Sequence, residues 1–294
     1  MDVGQKKHIS ENTTPVVGIA LSGGFIRATA QIGVLEVLQE AGVCIDLIAG
    51  CSFGATIAAA FASGRLTELR DELVLSPRRK YWQVILDGER SRYGLSHGKN
   101  VREFFAQFVV ADFNQTKIPL FIAATDLASM REVIMSQGSI ADAIQAAVAI
   151  PGFFAPVKRG EQLLVDGGNF NLIPSKPLYA AGCTYGIAVD VSNNPNIFTR
   201  TVANFRSLLD RRFALCQAGQ CERLTITQAI HRTFILSARQ IDNLYHQAYP
   251  YSIRIAPNLQ GVKRWHFNAA GYCVEQGRIA AREALPAIRK ALSL

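Results

Sequence analysis

Two short stretches of this chain hold the residues best suited to chemistry: Gly50-Cys51-Ser52-Phe53-Gly54 and Asp166-Gly167-Gly168. A serine between flanking glycines, set between a strand and a helix, is the pattern of a nucleophile elbow, in which a tight turn lifts the hydroxyl to where a substrate can reach it. The helix that starts at Phe53 directs its positive end at that serine, and the Phe53 N–H is placed to donate to a developing oxyanion. Five residues of this kind also arise by chance, so the setting carries the argument. Asp166 ends an apolar run and precedes two glycines, which puts a carboxylate on a turn at a strand terminus; taken alone, it reads as a residue capping its own turn.

A nucleophilic serine commonly works with a histidine, and His231, His246 and His266 follow Ser52 and Asp166 in the order of an α/β-hydrolase triad. Each reads more simply as a surface or packed histidine, with His266 between Trp265 and Phe267. A third glycine turn, Ser22-Gly23-Gly24-Phe25-Ile26-Arg27, follows the first apolar run. It matches neither the dinucleotide nor the P-loop phosphate pattern.

The elements that would position these residues alternate. Val16–Leu21 reads as a buried strand, the spacing of Ile32, Leu35 and Leu38 as an amphipathic helix ending at Gly42, and Cys44–Ala49 as a second strand leading into the serine turn. A small-residue helix follows to Ser63-Gly64, then helical stretches to about Val110. Further strands are expected at Pro119–Thr125, Arg131–Met135, Gln162–Val165, Tyr185–Val191 and Tyr251–Ala256. Ser139 with Asp142 predicts a capped helix over Ile140–Ala149. Strands alternating with helices predict an α/β fold, a three-layer α/β/α sandwich with a mainly parallel central sheet.

At 294 residues and 49% apolar composition the chain can bury a core without metal or disulfide staples. The six cysteines form no C-x-x-C pair and read as buried thiols. No metal-ligand spacing is present, and no cofactor is expected. The net charge of +8 lies wholly in the last third: residues 1–199 hold 17 Lys and Arg against 18 Asp and Glu, residues 200–294 hold 14 against 5. No zinc-finger or RNA-binding signature accompanies that charge, which argues against nucleic acid. Arg78-Arg79-Lys80-Tyr81-Trp82 has the composition of a shallow contact with an anionic membrane, and equally of a solvated helix start after Pro77. The polar opening residues 1–14 predict a flexible segment without a secretory signal, and a cytoplasmic or membrane-peripheral protein. Residues 15–294 are expected to form one catalytic domain, with 200–294 its basic, mostly helical part.

The motifs taken together resemble the patatin-like phospholipases. Ile19-Ala20-Leu21-Ser22-Gly23-Gly24 with Arg27, Gly50-Cys51-Ser52-Phe53-Gly54, Ala149-Ile150-Pro151-Gly152-Phe153-Phe154-Ala155-Pro156-Val157 and Val165-Asp166-Gly167-Gly168 occur in that family's order and spacing. Tyr93-Gly94-Leu95 and Ala124-Thr125-Asp126-Leu127 add softer support. The resemblance implies a Ser52-Asp166 dyad without histidine and an oxyanion hole assigned to Gly23, Gly24, Phe25, Arg27 and Phe53, with Arg27 behind the turn. It implies hydrolysis of a lipid or lysolipid ester through an acyl-enzyme, without a metal. The chain departs from the family pattern at two places: Phe25 and Ala28 stand where glycines are usual, and bulky Phe53 follows the nucleophile where small residues are common. A left-handed backbone at Phe25 would be strained by about 1–3 kcal/mol. Its ring could instead wall an acyl site. These departures support a second reading, a catalytically weak member that binds lipid or regulates a partner.

Overall fold

The computed structural model describes residues 14–88, 93–192, 240–241, 243–263 and 265–294. Calls on the N-terminal segment, on residues 200–239 and on His231 lie outside the described residues. A central sheet runs in the order β10-β9-β1-β2-β4-β8-β7, with β5 also paired to β4. Its strands are β1 (Val17–Leu21), β2 (Leu47–Cys51), β4 (Leu120–Asp126), β5 (Arg131–Met135), β7 (Val157–Arg159), β8 (Gln162–Asp166), β9 (Tyr185–Val189) and β10 (Ile253–Ile255). Pairings from β10 through β4 are parallel. Those of β5, β7 and β8 are antiparallel.

The period-2 alternation of the strands divides two cores. Ile19, Leu21, Ile48, Ile187 and Val189 face the larger helical layer, whereas Ala20, Leu47, Ala49 and Ala188 face α7 (Lys176–Ala180) with Leu178 and Cys183. The larger layer holds α1 (Ala30–Glu40), α2 (Phe53–Ala62), α3 (Leu66–Leu75), α4 (Arg78–Ile85), α5 (Lys99–Ala106), α6 (Ile140–Ala147) and the closing helix α8 (Ala270–Leu292). This is the three-layer α/β architecture expected from the sequence.

Differences from the sequence expectation are local. The second strand begins at Leu47 rather than Cys44, because Asp46 leaves the pattern to cap β1: its Oδ2 accepts the Val17 N–H at 2.8 Å. The turn after β1 starts as a 3-10 helix (Phe25–Thr29) before α1 proper. Within the stretch expected to be helical lies β3 (Gly94–Ser96), paired in parallel with β6 (Gly152–Phe154). That pairing joins Tyr93-Gly94-Leu95 to Pro151-Gly152-Phe153, two motifs far apart in the chain. Ser139 caps α6 as expected, its Oγ accepting the Asp142 N–H at 3.3 Å. Cys51, Cys183 and Cys273 are buried, but Cys44 is exposed.

Candidate active site

The register around β4 explains how Ser52 and Asp166 meet. The first half of β4 pairs with β2 in parallel, ending at Cys51 opposite Ala123. Its second half pairs with β8 antiparallel, with Asp166 opposite Ala124. Since β5 occupies the other edge of β4 at Ile122–Asp126, β2 and β8 share one edge and run toward each other. Their carboxyl ends therefore converge on adjacent residues of β4, one strand delivering Ser52 and the other Asp166. The Ser52 hydroxyl donates to Asp166 Oδ2 at 2.6 Å. Both residues are buried, at 7% and 5% exposure.

Each partner is fixed from behind. Ser52 has φ 53° and ψ −132°, a conformation costly for any residue with a side chain, of the kind retained where surrounding packing over-determines it. That packing is visible at the glycines. A Cβ on Gly54 would lie 2.5 Å from the Ser22 carbonyl oxygen, and one on Gly50 would lie 2.6 Å from Ala55 Cα. The start of α2 is thereby pressed onto the end of β1 and back onto its own strand. On the other side, Asp166 Oδ1 accepts the Gly168 N–H at 2.8 Å and the Asp166 N–H donates to Ala149 at 3.0 Å. One carboxylate oxygen is held by the turn, leaving Oδ2 for the serine.

The turn Gly23-Gly24-Phe25 passes directly over this pair. A Cβ at Gly23 would sit 2.9 Å from Ser52 Cβ, so no larger residue fits there. Ser22 ties the turn to the sheet, donating its N–H to Val189 and accepting the Val191 N–H at 2.9 Å, while Gln31 donates to the Ser22 carbonyl at 2.7 Å. Phe25 has φ 51°, the strained left-handed backbone that the sequence raised for this position. Arg27 is buried behind the turn. Its guanidinium donates to the carbonyls of Val262 at 2.9 Å and Leu259 at 3.1 Å, and burial lowers its pKa below the ordinary arginine value. Leu172, which the sequence did not single out, lies between the two glycine turns, 3.2 Å from a Cβ built on Gly23 and 3.4 Å from one on Gly168.

Ser52 opens into an apolar pocket. Its apolar lining includes Phe25, Phe53, Val148, Ile150, Phe154, Leu73, Tyr81, Phe104, Phe105 and Phe267. Ser76 and Lys80 add polar groups to the lining; Lys80 pairs with Glu72 at 2.5 Å. Tyr81 and Trp82, two aromatics of the basic segment, turn inward. Tyr81 stacks on Phe267 at 4.5 Å and Trp82 on Trp265 at 5.7 Å, while Arg78 and Arg79 are exposed. The aromatics of that helix start thus pack with the core while its arginines face outward. His246 stacks on Tyr251 and His266 precedes a 3-10 turn; neither is the partner of Ser52. Among the described residues no helix is long and apolar enough to cross a membrane.

The sequence matches the model of the patatin-like phospholipase family over residues 19–179. The chain belongs to the patatin-like phospholipase family. An uncharacterized NTE family protein of Mycobacterium tuberculosis is 32% identical over 184 residues, covering 62% of this chain and 51% of that protein. A second NTE family protein of the same species is 30% identical over 287 residues, 92% of this chain and 46% of its own length. Neuropathy target esterase of Drosophila melanogaster is 27% identical over 186 residues, 60% of this chain and 13% of that protein. The chain thus spans about half the length of the mycobacterial relatives it matches.

Proposed function

We propose that the chain is a lipid acyl hydrolase of the phospholipase A or lysophospholipase type, with Ser52 as nucleophile and Asp166 as the base. The observation that carries this reading is the 2.6 Å contact between the Ser52 hydroxyl and Asp166 Oδ2 at the mouth of an apolar pocket. Membership of the patatin-like phospholipase family supports it.

In the proposed reaction the ester's acyl chain occupies the pocket and its carbonyl carbon lies over Ser52. Ser52 Oγ attacks that carbon as its proton passes to Asp166 Oδ2. The carbonyl oxygen takes the negative charge and receives N–H groups of the Gly23-Gly24-Phe25 turn and of Phe53; one such donor is worth about 2.7–4 kcal/mol in the transition state. Collapse breaks the ester C–O bond, and the leaving alcohol takes the proton from Asp166. Water then attacks the acyl-enzyme, giving its proton to Asp166, and the acid departs as Ser52 regains a proton. Direct hydrogen bonding lets one carboxylate serve as base and then acid, so no histidine is required.

Labelling by a long-chain alkyl fluorophosphonate tests the assignment. The native protein is expected to label and to hydrolyse a long-chain p-nitrophenyl ester. Folded Ser52→Ala should do neither, and Asp166→Asn should react about 10²- to 10⁴-fold more slowly, the range for loss of a general base. An unlabelled native protein that still binds fatty acid would instead support the non-catalytic, lipid-binding reading.

A further inference from the structure

We propose that Leu259, Val262 and Trp265, which lie beyond the span matched by the family, form a strap that holds the oxyanion turn in shape, and that Trp265 is its positioning residue. The inference rests on the hydrolase reading above. Two independent contacts bind this segment to the turn. Arg27, only 3% exposed, places its guanidinium on the carbonyls of Leu259 and Val262. No carboxylate pairs with it among the described residues, so these carbonyl dipoles are the groups seen to balance its charge. Two residues earlier, the Phe25 ring packs on Trp265 with ring centroids 4.4 Å apart.

Trp265 itself meets three further aromatic rings. Its ring stacks on Trp82 at 5.7 Å, tilts against Phe153 at 5.2 Å and meets Phe267 edge-on at 6.1 Å. A side chain so confined is a fixed surface, and Phe25 lies against it while its backbone keeps a positive φ of 51°. A non-glycine residue holds that conformation only where the surroundings impose it. Glycine would hold it unaided. The strap thus supplies from outside what a third glycine would supply from within, and Phe25 stands at the position where the family usually has that glycine. Trp265 does not line the pocket with Ser52. It acts on the reaction through Phe25, whose backbone belongs to the proposed oxyanion hole.

A double-mutant cycle tests this, with kcat and KM measured on p-nitrophenyl octanoate for the native protein, Trp265→Ala, Phe25→Gly and the double variant. Loss of Trp265 should lower kcat about tenfold or more, as misaligned transition-state donors do, with KM changed less than about threefold. In the Phe25→Gly background the same substitution should cost kcat less than about threefold, because glycine needs no support at this φ. An equal kcat loss in both backgrounds, or a change confined to KM, would overturn the proposal. Should Trp265→Ala fail to fold, Trp265→Leu replaces it in the same cycle. Ser52→Ala separates the two claims. If it keeps native activity, the hydrolase reading fails; the strap is then judged from urea unfolding, where Trp265→Ala must destabilise the Phe25 protein more than the Phe25→Gly protein, and equal losses reject it.

Discussion

A serine hydroxyl is a weak nucleophile until a base accepts its proton, and a buried carboxylate is a useful base only when one oxygen stays available. In the proposed reaction Asp166 would meet that condition with Oδ2, which accepts the Ser52 hydroxyl while Oδ1 accepts the Gly168 N–H. The alignment depends on small residues whose role is purely steric. Gly54→Ala would drive a methyl group to 2.5 Å from the Ser22 oxygen and 2.7 Å from the Leu21 oxygen, both backbone atoms that cannot swing aside. The elbow would have to lift off β1, and with a displacement near 1 Å we expect kcat to fall about 10²-fold. Steady-state kinetics of the folded variant checks this; unchanged kcat would mean that the elbow tolerates the shift. Phe25 and Ser52 carry positive-φ backbones without being glycine, so strain gathers at the two turns that meet at the proposed site, as it does at many functional sites.

At the scale of elements, α1 and α8 approach each other closely. A Cβ on Gly33 would sit 2.0 Å from the Val274 oxygen, and one on Gly277 would sit 1.8 Å from the Ala30 oxygen. The two helices touch backbone to backbone. Glu36 strengthens the same junction, pairing with Arg70 of α3 and Arg278 of α8 at 2.7 Å each. Helix propensity alone would make Gly277→Ala stabilising by about 1 kcal/mol. The clash opposes this and should win, because it cannot be relieved without parting the helices; we expect a net loss of about 1–3 kcal/mol. Gly271→Ala, whose Cβ would meet Val74 at an ordinary 3.5 Å, is the control and should be neutral or stabilising. Urea unfolding of both variants decides the matter, and equal stabilities would argue that α8 can slide.

For the whole molecule, the site draws on both halves of the sheet. The parallel half delivers Ser52 and the glycine turn at the carboxyl ends of β2 and β1, where α/β folds place their ligands. The antiparallel half delivers Asp166. Within the antiparallel half, Asp126 at the end of β4 ties the β4–β5 turn to β8. Its carboxylate accepts the Ser129 hydroxyl and the N–H groups of Leu163, Ala128 and Ser129, which together hold its pKa down to about 2, the Ser129 hydroxyl contributing most. A folded pKa below the unfolded value of about 3.9 means stability present above that pH and lost as pH falls toward 2. Asp126→Asn should therefore be less stable than the native protein at pH 7, with the gap closing between pH 4 and pH 2. Thermal midpoints across that range check it, and a gap constant with pH would count against the linkage. Much of this organisation was legible in the sequence: the strand–turn–helix order around Ser52, the Asp166 turn, the capped helix at Ser139 and the mainly parallel sheet all follow from local periodicity and turn chemistry. Such signals depend on neighbours within a few residues, so one sequence suffices to read them. The convergence of β2 and β8 on adjacent residues of β4, the inward turn of Tyr81 and Trp82, and the seat of Phe25 and Arg27 on Leu259, Val262 and Trp265 join positions that are distant in the chain. Only tertiary packing decided them, because contacts between remote segments leave no period or spacing in either one.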